Sequence, residues 1–85
     1  MKIKKARTER GFRRWDFDDR YGQECSLQMS SLASEAAIWF GVDVNIPKEN
    51  GGEGKVVHER MHLTQKMVKK LLPALQHFAE KGELP

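Results

Sequence analysis

Lys55-Val56-Val57-His58-Glu59-Arg60-Met61-His62-Leu63 alternates in twos, and after Thr64 the apolar residues Met67, Val68, Leu71, Leu72, Leu75, Phe78 and Ala79 recur in threes and fours. A period of two marks a half-buried strand and a period near 3.6 an amphipathic helix, so a strand here runs at once into a helix. Val57, Met61 and Leu63 fall on one strand face, and Val56, His58, Arg60 and His62 on the other. Glu59 lands on the apolar face, a flaw that an edge position excuses. Thr64 suits the N-cap and Gly82 the stop, while Pro73 removes a backbone donor and predicts a kink near Lys69–Lys70.

Upstream, the chain reads as strands. Glu24–Met29 alternates cleanly, with Cys25, Leu27 and Met29 inward and Glu24, Ser26 and Gln28 outward. Phe12–Phe17 pairs with a short candidate strand at Lys2–Arg7 across the turn Glu9-Arg10-Gly11. Arg13, Trp15 and Phe17 share one face; Phe12, Arg14 and Asp16 share the other. Asp18–Gly22 is the next turn, where aspartates bond their own backbone. Ala36–Val42 is an apolar run read as a buried strand, which sets Trp39 and Phe40 on opposite faces. Val44–Gly54, with Asn45, Pro47, Asn50, Gly51, Gly52 and Gly54, is read as a loop. The expected architecture is α+β: a small antiparallel sheet of about four strands, with one C-terminal amphipathic helix packed on one face. The other face is then left for solvent or a partner.

Eighty-five residues, 39% hydrophobic and 32% charged, fit one soluble domain spanning residues 1–85. That length excludes a multidomain enzyme or a barrel of repeated βαβ units. No apolar stretch approaches bilayer length and none follows the basic N-terminus as a signal peptide requires, so no membrane partner is expected. The single cysteine, Cys25, cannot form an internal disulfide, and the expected setting is the cytoplasm.

Charge is segregated. Residues 1–14 carry +6, residues 15–53 carry −6 and residues 54–85 carry +3. A basic edge is either a docking surface for an anion, a nucleic acid or an acidic protein patch, or an edge strand that uses Lys and Arg to deter pairing. The mixture Arg10, Phe12, Arg13, Arg14, Trp15 and Phe17 supports three readings. Aromatics beside guanidiniums stack bases and hold phosphates; the same set makes a protein-interface hot spot; or Trp15 and Phe17 are core beneath the helix. Arg10, Arg13, Arg14 and Trp15 are the candidate partner-binding residues.

Catalytic and metal chemistry find little footing. His58 and His62 on a strand lie about 13 Å apart, too far to share one metal ion, and His77 supplies no third ligand at a usable spacing. Cys25 alternates with Leu27 and Met29 as a small core hydrophobe. Asp16, Asp18 and Asp19 lack the glutamate and glycine of a calcium loop. Gly51-Gly52-Glu53-Gly54 lacks the Lys-Ser/Thr of a phosphate loop. No enzyme activity, cofactor or metal is expected; a pocket needs more chain than this, unless a homo-oligomer builds one between copies.

Two stretches carry a resemblance. Arg20-Tyr21-Gly22-Gln23-Glu24-Cys25-Ser26-Leu27-Gln28, continuing through Ser30-Ser31-Leu32-Ala33 to Glu35 and Ala37-Ile38-Trp39-Phe40-Gly41, is one. Arg60-Met61-His62-Leu63-Thr64, followed by Leu71-Leu72-Pro73, Leu75 and Phe78, is the other. Together they resemble a family of small proteins encoded by tailed bacteriophages and prophages, least so over Asp43–Gly54. The resemblance implies a phage accessory protein acting on its host by binding, such as a counter-defence inhibitor of the anti-CRISPR kind. A host protein or ribonucleoprotein complex is then the expected partner, with direct nucleic-acid binding by the basic hairpin as the alternative.

Overall fold

Six elements follow one another along the chain: β1 (Lys4–Arg7), β2 (Arg13–Asp18), β3 (Glu24–Met29), β4 (Ala37–Ile46), β5 (Lys55–Thr64) and α1 (Gln65–Lys81). They are seen in a computed structural model that describes residues 1–47 and 54–85. The five strands form one antiparallel sheet in the order β1-β2-β3-β4-β5, so each is joined to its spatial neighbour and β1 and β5 are the edges.

Local chemistry explains the turns. Gly11 takes φ 84° between β1 and β2, where the Thr8 hydroxyl accepts from the Phe12 amide. Between β2 and β3, Asp19 Oδ1 accepts from the amides of Tyr21 and Gln23 at 2.8 and 3.0 Å, as the aspartate-rich run predicted. β4 continues through Val44, Asn45 and Ile46, which pair with Val57, Val56 and Lys55. The sequence reading places these three residues in a loop, on the strength of Asn45, Pro47, Asn50 and the glycines beyond. Pairing with the β-branched valines of β5 overrides that breaker signal. The remainder of the expected loop, residues 48–53, lies outside the described residues.

The register sorts side chains onto two unlike faces. Trp15, Phe17, Cys25, Leu27, Ile38, Phe40, Val42 and Leu63 lie on one; Arg14, Asp16, Ser26, Gln28, Trp39, Asp43, His58, Arg60 and His62 lie on the other. Glu59 opposes Val42 on the apolar face, exposed on an edge strand.

The helix does not cover that face. Among the described residues the buried apolar side chains are Cys25 and Ala37, and α1 has no buried residue. Trp15 and Phe17 therefore lie under no helix. The reason is at Thr64, which pairs with Ala37 as the last residue of β5 and also accepts from the Met67 amide as the helix N-cap. The Gln65 amide donates to the Ala36 carbonyl, fastening the first helical residue to the sheet end. A helix that packs back on its own strand needs a connection of roughly two to six residues, and here there is none. Pro73 lies within the helix without ending it, and the Gly82 amide, at φ 78°, closes it on Phe78. The molecule measures 49 × 34 × 19 Å.

Gly41 is required by close approach. A Cβ there would sit 2.5 Å from the Glu59 carbonyl oxygen and 2.7 Å from Arg60 Cα, both backbone atoms of β5. Gly41→Ala is expected to cost about 1–3 kcal/mol by splaying β4 from β5, measured by denaturant unfolding.

Candidate functional site: the polar sheet face

The polar face is organised around one carboxylate. Asp43, 4% exposed, is reached from strands on either side, β2 and β5. Arg14 Nη2 on β2 donates to Oδ2 at 3.2 Å, and His58 Nδ1 on β5 donates to Oδ1. Arg60 Nε stands 3.8 Å from Oδ1, close enough for charge attraction but too far for a hydrogen bond. Strand alternation puts these residues on one face, and the register sets Asp43 opposite His58.

Arg60 lies over Gly41, its directly paired neighbour, because glycine presents no side chain there. Its Nη1 reaches across β4 to Gln28 Oε1 on β3 at 2.9 Å. Gln28 Oε1 also accepts from Arg14 Nη1 at 3.3 Å, and Arg14 Nε donates to Asp16 at 2.7 Å. Two guanidiniums thus bracket a Gln–Asp ladder spanning β2 to β5. Ser26, completely buried, lies among them.

The Asp43 carboxyl feels opposing effects. Burial pushes it up, but the hydrogen bonds of His58 and Ser26 and the charges of Arg14 and Arg60 outweigh this and hold it below the ordinary carboxylate value. Because the ionised carboxylate only accepts, His58 Nδ1 carries the hydrogen of this bond.

Further along the same face, Trp39 and its cross-strand partner His62 stack with centroids 3.9 Å apart and planes 8° from parallel. His62 Nε2 hydrogen-bonds the buried Ser30 hydroxyl at 2.9 Å. Between β1 and β4 the face holds an open depression of about 370 Å³ lined in part by Lys4, Arg14, Asp16, Asp18, Glu24 and Asp43.

The four expected binding residues are distributed, not gathered. Arg10 is exposed at the β1–β2 turn, 5.5 Å over the Phe12 ring. Arg13 is exposed and Trp15 is 39% exposed, on the apolar side, with Lys5 Nζ 4.8 Å from the Trp15 ring. Arg14 is on the opposite face and half-buried, its charge already engaged by Asp16 and Asp43. Sequence reasoning missed Asp43, the hub. It stands between Val42 and Val44, at the end of the apolar run, and a charged residue flanked by valines is the one signal that a buried partner set awaits it. His58 and His62 were placed on one face, but their partners were not seen.

Cys25 is buried, and its thiol is pushed up by that burial and by the charges of Asp19, Asp43 and Asp18, which suits a packing role. Among the described residues no group of three metal-ligating side chains gathers, and no helix is long and apolar enough to cross a membrane. No protein-family model matches the chain, and neither a curated protein nor a solved structure matches it. The geometry therefore carries the functional reading.

Two outcomes test the hub. Asp43→Ala removes the carboxylate beside the largely buried Arg60 and one of the two that engage Arg14, and is expected to cost about 3–5 kcal/mol in denaturant unfolding. A carboxyl held below its ordinary value of 3.8 contributes its full stability above that value and loses it as pH falls through the lower folded value. Wild-type stability should therefore fall in acid, and Asp43→Asn, which has no carboxyl to protonate, should lose that part of the fall in a pH series.

Proposed function

We propose that this protein acts by binding, without chemistry of its own, as a phage accessory factor of the counter-defence, anti-CRISPR-like kind. Its partner is a host protein or a ribonucleoprotein complex, engaged through the polar sheet face and the adjoining β1–β2 hairpin. The observation that carries the binding surface is the Asp43 network. It fixes Arg14, His58, Arg60 and Gln28 in one arrangement on a face that, among the described residues, no element covers. A surface already ordered loses little side-chain freedom when a partner docks, and arginine with tryptophan is the composition of interface hot spots. The phage role rests on the two sequence stretches described above.

Charge favours a protein surface over a nucleic-acid backbone at this face. Asp16, Asp18, Glu24 and Asp43 line the same depression as Lys4 and Arg14, and Arg14 is already neutralised there. A second reading has its own observation. Lys4, Lys5, Arg7, Arg10 and Arg13 are all exposed on the β1–β2 hairpin, enough positive charge to track a phosphate backbone.

Affinity capture from bacterial host lysate, with and without nuclease, separates the two. The expected outcome is a protein partner retained after nuclease, with affinity that falls weakly with salt. Loss on nuclease treatment and a steep log–log salt dependence would transfer the reading to nucleic acid. Arg10→Glu with Arg13→Glu is expected to weaken capture at least about tenfold with little change in melting temperature, since exposed charges outside a network add little stability. Unaltered capture would remove the hairpin from the interface.

A further inference from the structure

The chain exposes more surface than a self-sufficient monomer does. A folded monomer of 9.8 kDa exposes about 5,200 Å² by the area–mass relation, whereas this chain exposes 7308 Å². Its radius of gyration is 15.4 Å, against about 12 Å for a compact chain of this length. The surplus, roughly 2,100 Å² per chain, falls within what each partner buries in an obligate dimer.

Apolar surface is left uncovered in two complementary pieces. One is the uncovered sheet face, where Phe17 and Phe40 meet edge to face at 6.2 Å and Met29 and Met61 are 38% and 56% exposed. The other is the α1 stripe, with Met67, Leu71, Leu72, Leu75 and Phe78 all 46–56% exposed. Thr64 denies them to each other within one chain. Where they adjoin, Met29, Ile38 and Leu63 of the sheet and Val68 and Leu72 of the helix line an apolar corner of about 350 Å³. Lengths also match: a 17-residue helix is about 25 Å long, and five strands span about 24 Å.

We propose that the protein is a two-fold dimer in which α1 of each copy lies across the apolar sheet face of the other, entering at the apolar corner beside β5. The interface is isologous: each copy gives a helix and receives one, so the contact closes without leaving a free end to propagate. It leaves the polar face outward on both copies. Folding is then linked to association, because neither apolar surface is covered in a lone chain.

Sedimentation equilibrium of the purified chain is expected to return twice the 9.8 kDa chain mass, with a melting temperature that rises with concentration. A mixed sample of isotope-labelled and unlabelled chains then locates the contact. Intermolecular nuclear Overhauser effects from Leu72 and Leu75 methyls of one copy to Leu27 and Phe40 of the other are the expected result. A monomer at every concentration overturns the proposal, and would leave these surfaces to an unrelated partner. So does a dimer whose intermolecular contacts run only between β5 edges or only between helices. Leu75→Glu should raise the dimer dissociation constant at least about 100-fold, while Leu75→Met retains the dimer. If the glutamate variant does not fold, the wild-type intermolecular contacts decide. A lysate capture that fails leaves this result untouched, because the dimer needs the purified chain alone.

Discussion

Thr64 holds two positions at once, the last rung of a strand and the cap of a helix. A cap needs an extended backbone just before the first helical turn, and a strand supplies one, so the two roles are compatible in a single residue. The consequence is directional. With the Gln65 amide fastened to Ala36, the helix departs from the end of the sheet and cannot swing over its face. The described elements are thereby held open as a single layer.

An open layer must make its polar side self-sufficient. Asp43 would be costly in a half-buried sheet centre if it stood alone, since a desolvated charge without partners is disfavoured. Two strands answer it, β2 with Arg14 and β5 with His58 and Arg60, and Gln28 ties the two guanidiniums together. Gly41 completes the arrangement by letting Arg60 lie flat. The same network that ties the strands together thus produces an ordered, mixed-charge surface. The apolar side has no such internal solution, and association is the physical remedy for it.

Much of this was legible residue by residue. The alternation of Glu24–Met29 placed Cys25 and Leu27 against Ser26 and Gln28 correctly, and the shift of period at Thr64 located both the end of β5 and the start of α1. The aspartates of the β2–β3 turn and the glycine at the helix end announced themselves through local chemistry. The extension of β4 to Ile46 was not legible, because strand pairing with Val56 and Val57 is non-local while the breakers beyond Pro47 are local. Asp43 was hidden for the same reason. Its partners stand 29, 15 and 17 residues away along the chain, and only the register brings them together.

What the sequence by itself determined is periodicity, and hence which elements form, which face of each is apolar and where turns and caps fall, since those depend on neighbours within a few residues. Only the tertiary structure decided whether the apolar faces meet. Amphipathic patterning states that a helix and a sheet each have a side to hide, but not from whom. A junction without a single connecting residue settles that the two sides are not hidden against each other within the one chain.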